Sequence, residues 1–456
     1  MSMSRFKLKT SNKELTSYAG LALVGQCLDM INVEAVVDGR IPVSQGIKTS
    51  ALVKSAVALL SIGKSDFEAI EPFREDRFFK QALSIGKVPG SVWLRQRLDR
   101  VSSQLLEPVD EMSVRLIERA AAPITPHKGY VCLDMDTFVM DQSGSKKEEV
   151  SRTYQGVDGY TPVAAYLGNE GWCVGLELRP GRWHSSLEIE YFLERLLPRV
   201  ERLVPVEQAV LLRKDSGFDS AKLLFAAAEE KDRWAELGRR FEYVVKWNPR
   251  RQKKEDWVER AEALGAFMEK RPGKREALFS LDVERAFGKQ TRRFRLVIRL
   301  IERTINKHGQ LLLMPDIELE GWWTSLDEAE AKVIERYCDH GTHEQFHSEF
   351  KTDLDLERLP SGKFDTNDAI LRLGMLAYNC LRLLGQLGLL GELAPIRHPA
   401  KRRRLRTVLQ ELMYRAAQVV HKARQWWLDL GRDSPVAQVF AFLQQRLAAQ
   451  NAVASG

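Results

Sequence analysis

The chain is poor in cysteine and has no cysteine pair at a metal-binding or redox spacing. Its 456 residues include five, Cys27, Cys132, Cys173, Cys338 and Cys380, scattered and without a CxxC. That excludes a disulfide framework and a zinc knuckle, and it fits a reducing compartment. Long apolar runs are also missing. None reaches the roughly 20 residues needed to span a bilayer, and the opening "MSMSRFKLKTSNKELT" lacks the apolar centre of a signal peptide. Internal repeats and long low-complexity segments are absent. The expectation is a cytoplasmic protein with no membrane partner.

A strong charge imbalance is missing too. The 69 Lys+Arg against 62 Asp+Glu leave a net +7, mild on its own. Its distribution is more informative. Basic clusters occur at "WNPRRQKK", "KHGQ", "KQTRRFRLVIR" and "RHPAKRRRLR". One such cluster is an ordinary solvated face, but several in one chain favour a polyanion.

Residues 1–125 read as helical, with apolar residues at helical spacing in "SYAGLALVGQCLDMINVEAVVDG" and "KTSALVKSAVALLSIG". A Pro-Gly turn then opens a helix carrying Arg95, Arg97 and Arg100. Two readings fit equally: a helix-turn-helix that presents Arg95 and Arg97 to DNA, and a packing domain with a basic face. At residue 130 the period changes to that of strands. "YVCLDMDTFVMD", "TPVAAYLG" and "GWCVGLELRPG" are followed by a helix, the strand "QAVLLRKDS", a second helix and the strand "FEYVVKW". The order β-β-β-α-β-α-β predicts an α/β ribonuclease H-like (retroviral-integrase-like) core. Residues 248–325 interrupt it as a β-rich insertion, and helix is expected again beyond it, including 406–431. The expected division is 1–125 helical, for DNA binding or dimerisation; 126–247 with 326–385 the catalytic core; 248–325 the insertion; and 386–456 a basic helical C-terminal region.

Two chemistries compete at "HEQFH". His343 and His347, four apart on a helix, could share a zinc ion with Glu344 as general base. A catalytic zinc needs a third protein ligand, and the extended peptidase motif would require Gly at 350 and His at 353, where the chain has Phe350 and Asp353. The alternative uses carboxylates alone. Two Mg²⁺ ions about 3.5–4 Å apart, held by aspartate and glutamate, activate a nucleophile and stabilise the leaving oxygen of a phosphodiester. Asp136 on the first strand, Asp215 at the end of the fourth and Glu344 on a following helix are candidates. Asp134 shares the strand face of Asp136 and competes with it. Asp219 is placed to cap the helix after Asp215, and Glu349 lies off the stripe of Glu344 as a solvated residue.

Three blocks carry a resemblance: strand-"MDTF", strand-"RKDSGF", and Tyr337, His340, Glu344 and Lys351 at the spacing Y-x2-H-x3-E-x6-K. Together with "YQGVDGYTP" and "LPSGKFDTNDAILRLGMLAYN", they resemble the DDE transposases of bacterial insertion sequences, most nearly insertion-sequence group 1380 with its YREK-like third block. Histidine replaces arginine at 340. The resemblance implies Asp136, Asp215 and Glu344 as catalytic metal ligands for two Mg²⁺, with Mn²⁺ as substitute, and Thr137 favours Asp136 over Asp134. It implies phosphate contacts for Tyr337, His340 and Lys351, and an insertion aromatic stacked on a base, for which Trp323 stands beside Trp247 and Trp322. Each tryptophan fits a core position equally well. It further implies double-stranded DNA as partner (inverted-repeat ends and target), a homodimer in the DNA complex, and a place at the bacterial nucleoid. A ribonuclease H-like nuclease without strand transfer and an HExxH zinc peptidase are the alternatives.

Overall fold

The computed structural model describes residues 9–306, 308–338, 343–396 and 399–455. It divides into two compact units, 123–348 and the combination of 1–122 with 349–456.

The helical unit begins with a short strand β1 (Glu14–Thr16) and helices α1 (Leu21–Ile31), α2 (Thr49–Leu60) and α3 (Ser91–Arg119). Every residue of α2 is buried, including Lys54, whose ammonium is held by Asp29 at 3.3 Å and Glu34 at 2.8 Å. The long α3 accommodates Pro108 in its interior.

The second unit is built on one nine-stranded sheet. Its strands are β2 (Tyr130–Thr137), β6 (Val163–Leu167), β7 (Trp172–Glu177), β8 (Ala209–Lys214), β9 (Phe241–Lys246), β10 (Phe267–Arg271), β11 (Lys274–Phe287), β12 (Gln290–Ile305) and β13 (Leu311–Thr324). A small separate sheet joins β3 (Met140–Asp141), β4 (Ser151–Arg152) and β5 (Asp158–Tyr160). The large sheet runs β10-β11-β12-β13-β9-β8-β2-β6-β7. Strands β2, β8 and β9 are parallel, and the remaining pairings are antiparallel. Helix α4 (Ile189–Leu203) connects β7 to β8, and α5 (Ala221–Glu236) connects β8 to β9. Parallel neighbours require such crossovers. The central strands are buried on both faces, as covered sheets are.

The insertion strands expected over 248–325 are present as β11 to β13, preceded by a helix α6 (Lys254–Ala263) that the sequence reading missed. They continue the core sheet rather than forming a separate one: Trp322 pairs with Lys246 and Trp323 with Val245. The unit closes with helices α7 (Glu330–Cys338) and α8 (His343–Ser348).

Residues 349–385, expected with the catalytic core, fall in the helical unit. Their helix α9 (Phe364–Gly388) is buried almost all round, the signature of a central core helix. Its buried charged residues have partners. Arg372 meets Asp110 and Asp368, and Arg382 meets Glu349 and the Tyr378 hydroxyl. Glu349, expected in solvent, is fully buried; its second oxygen accepts from the Leu405 amide at 3.1 Å. The helix expected over 406–431 ends by Met413. Strands β14 (Ala417–Lys422) and β15 (Gln425–Asp429) follow, with β14 also pairing β1. Ala423 and Arg424 form their turn at φ 52° and 64°, the two-residue geometry that matches strand twist. A last helix α10 (Ala437–Ser455) completes the unit. Among the described residues, no helix is long and apolar enough to cross a membrane.

Glu349→Ala strands a buried guanidinium and should cost about 3–5 kcal/mol in chemical denaturation. Glu349→Gln, which still accepts from Leu405, should cost clearly less.

Candidate active site

The register of two parallel strands determines which carboxylates meet. Tyr130 of β2 pairs with Ala209 of β8, and the ladder proceeds in step to Asp134 opposite Arg213. Two residues beyond that pair, Asp136 is the penultimate residue of β2 and Asp215 directly follows β8; continuing the same register brings the two carboxylates together, and both charges act on Lys214 and Tyr337. Alternation puts both pairs on one face of the sheet. They differ in charge. Arg213 grips Asp134 through two hydrogen bonds of 2.6 and 2.7 Å, both side chains buried; such a fork satisfies both carboxylate oxygens. The Arg213 Nη1 also donates to the Arg336 carbonyl at 2.9 Å, tying α7 to the strands. Asp134 is therefore engaged in a structural ion pair. Asp136 and Asp215 are two like charges, both half-buried at the sheet's edge.

Each has local support. Asp136 accepts from the Thr137 amide at 2.7 Å. Asp215 caps a single turn of 3-10 helix, Ser216–Phe218, accepting from the Gly217 amide at 3.1 Å. Asp219 does not cap the following helix as expected, since Ser220 does. Instead Asp219 accepts from the Trp323 indole and the Asn248 amide, each at 3.0 Å. Ser185, which no sequence pattern marks, lies between the residues that follow the pair: its Oγ is 2.8 Å from Thr137 Oγ1, and a Cβ added at Gly217 would lie 3.4 Å from it and 3.2 Å from Asp215 Oδ1.

Beneath the site Lys214 is fully buried, its Nζ 3.8 Å from the Phe218 ring centre and without a hydrogen-bond partner among the described residues. Burial, then the Arg179 charge, push its pKa well below the usual lysine value, while Asp215 and Asp136 oppose them. Tyr337 packs against Trp322, ring centres 6.1 Å apart, with the Lys246 ammonium 5.7 Å from its ring. Burial raises its phenol pKa, and the charges of Asp215 and Asp136 raise it further. The sequence-predicted Tyr337 thus stands within the field of both aspartates.

Glu344 is exposed on α8. That helix lies on the face that carries Asp136. Phe346 packs on Tyr166 at 4.7 Å, and His347 stacks on Phe138 at 4.5 Å with Tyr166 at 5.7 Å. Tyr166 pairs directly with Asp134 across β2 and β6, which fixes the face. Among the described residues, however, no three of His, Cys, Asp and Glu form a group able to hold a metal. Two aspartates stand together, and Glu344 is not gathered with them.

Past α8 a π-turn spans Glu349–Asp353, so Lys351 does not follow Glu344 at regular α-helical spacing, and residues 339–342, which join α7 to α8, lie outside the described residues. His340 and the side chain of His343 lie outside the described residues. His347 is core packing, not a DNA-facing group, being 7% exposed. Lys351 belongs to the helical unit and pairs with Glu357 at 3.0 Å. Trp323, expected to stack on a base, is 2% exposed with its indole bonded to Asp219, and Trp247 and Trp322 are buried as well. Arg95 is exposed on α3, whereas Arg97 is half-buried and reaches Thr49 at 3.4 Å. In the basic "KRRRLR", Arg403 and Arg404 are turned to the protein's own carbonyls and to Asp353.

Strands ordered β7-β6-β2-β8-β9, helices flanking them and aspartates ending the two central parallel strands are consistent with a ribonuclease H-like enzyme of nucleic acids. The chain belongs to the DDE transposases: residues 1–452 match the family described as transposase DDE domain group 1. Membership implies a metal-dependent mechanism in general. Among solved structures, a piggyBac transposase in a synaptic complex with hairpin DNA is 12% identical, over 98% of this chain and 87% of that one, at a TM-score of 0.40, too distant to carry an argument. Comparison with curated proteins gave no match.

Seating of α8 depends on Gly171. Its φ is +72°, and a Cβ there would come within 2.1 Å of the Phe346 ring. Gly171→Ala should destabilise by about 1–3 kcal/mol in urea denaturation, with Gly168→Ala as the neighbouring positive-φ comparison.

Proposed function

We propose that this chain is the transposase of a bacterial insertion sequence, cutting DNA at the inverted-repeat ends of its element and joining the freed 3′ ends to target DNA. The observation that carries the reading is the placement of Asp136 near the end of β2 and Asp215 just past the end of the parallel neighbour β8, in a chain of the DDE family. Two carboxylates at strand spacing repel each other unless a cation lies between them. Paired hard oxygen donors at a solvent edge suit Mg²⁺, or Mn²⁺ in its place. Asp136 and Asp215 would hold the metal, and Glu344, on the same face of the sheet though not gathered with them here, would be the third ligand; when bound, two such ions would supply Lewis acidity to nucleophile and leaving oxygen.

The remaining roles belong to the chain itself. The Thr137 amide orients Asp136 and the Gly217 amide orients Asp215, while Ser185 holds the Thr137 hydroxyl. The Tyr337 hydroxyl, its pKa raised, stays protonated at neutral pH and donates to a phosphate oxygen. His340 and Lys351 complete the YREK-like block typical of insertion-sequence group 1380, and Arg95 is a backbone contact on the helical unit. Two ends held together require two copies of the chain, so the DNA complex is a homodimer.

The test uses DNA carrying the repeats that flank the reading frame. Asp136→Ala, Asp215→Ala and Glu344→Ala should each abolish cleavage while gel-shift binding persists. Normal cleavage by Glu344→Ala would overturn the assignment of that residue, and normal cleavage by both aspartate variants the whole reading. Failure to join pre-cut ends to a plasmid would reduce the activity to that of a nuclease.

A further inference from the structure

The burial of the insertion tryptophans leaves the site without the stacking aromatic that the sequence predicted. A different residue stands there. Tyr154 occupies the tip of the β4–β5 hairpin and is 65% exposed. The turn is closed by Thr153 and Val157, whose backbone hydrogen bond is 2.8 Å, and by the Gly156 amide donating to Thr153 at 3.0 Å. Gln155 and Gly156 beside it are exposed as well.

The hairpin is fixed to the aspartate pair in two ways. First, β5 runs into β6, and β3 continues β2, so one ladder carries both. Thr137 pairs with Val163, the Phe138 amide donates to Pro162 at 3.1 Å, and Met140 pairs with Tyr160. Second, the segment 180–185 lies directly on the small sheet and ends at the site. A Cβ at Gly181 would strike the Ser151 and Gly159 carbonyls at 2.2 and 2.3 Å, and four residues later Ser185 touches Thr137. The Tyr154 phenol has its pKa raised by burial of part of the group and by the charges of Asp136 and Asp215. Two exposed guanidiniums flank the tip, Arg152 and Arg182, each engaged by one exposed carboxylate, pairings weak enough to yield to a phosphate.

We propose that Tyr154 is a stacking platform for a nucleobase of the DNA strand at the aspartate site, with Arg152 and Arg182 on the adjoining phosphates. A neutral ring holds a base beside two carboxylates without adding charge, and its face is sequence-tolerant. The proposal rests on the reading of the chain as a DNA-processing enzyme.

The experiment measures binding of the full chain to a fluorescein-labelled oligothymidylate, with Ca²⁺ in place of Mg²⁺ so that no cleavage enters. Tyr154→Ala should weaken binding about tenfold, Tyr154→Phe should stay within about twofold of the parent, and Tyr154→Trp should bind as the parent or tighter. Irradiation of the same oligonucleotide carrying 5-iododeoxyuridine should cross-link the peptide containing Tyr154. An unchanged thermal midpoint for Tyr154→Ala shows that the loss is not misfolding. Parent-like binding by Tyr154→Ala overturns the stacking role alone, as does Tyr154→Phe losing as much as Tyr154→Ala, which would transfer the effect to the hydroxyl. If the parent chain binds no oligothymidylate, the stacking role fails together with the DNA reading beneath it.

Discussion

The ion pair between Asp134 and Arg213 is the constraint from which the site follows. Backbone pairing alone would let strand β2 slide along β8 at little cost, because both strands are buried on both faces and most of their side chains are apolar. The buried fork permits one register only, since any slip leaves a carboxylate and a guanidinium unpaired away from water. That register delivers Asp136 and Asp215 side by side at the strand ends. The same guanidinium holds the Arg336 carbonyl, so helix α7 and its Tyr337 take their position from the same contact. A stabilising pair and a repelling pair thus sit two residues apart, and the first makes the second possible.

Much of this was legible in the sequence. The alternation in "YVCLDMDTFVMD" and the apolar "AVLLRK" identified β2 and β8, and the carboxylates at their ends were marked before any coordinates. Strands β11, β12 and β13 were equally clear. What was not legible depended on tertiary packing. Trp323 and Glu349 carry no local sign of burial; the first is drawn in by Asp219, the second by Arg382, partners 104 and 33 residues away. The hairpin β14–β15 was mistaken for helix because Ala417, Gln418, Lys422, Ala423, Arg424 and Gln425 also suit a helix, while Val419, Val420 and two tryptophans favour a strand. Ser185 and Tyr154 lie in turns with no periodicity to expose them.

The third block shows the limit of spacing arguments. Tyr337, Glu344 and Lys351 recur every three or four residues when read with 340 and 347, which describes one face of an unbroken helix. Among the described residues, α8 passes into a π-turn at Glu349–Asp353, which takes Lys351 off that regular spacing. The buried Phe346 and His347 seat α8 on Tyr166, Phe138 and Gly171, and that aromatic seat sets what Glu344 faces.

The helical unit is assembled from both ends of the chain, with β1 paired to β14 and α3 packed along α9. During synthesis the first 122 residues leave the ribosome without the strand and the central helix that complete their core. The interior unit, contiguous in sequence, can fold while they wait. Apolar faces of α1 and α2 are then exposed for the time needed to translate more than two hundred further residues. Exposed apolar surface of that kind is prone to aggregate, so the interval before residues 349–456 arrive is where folding of this unit is most vulnerable.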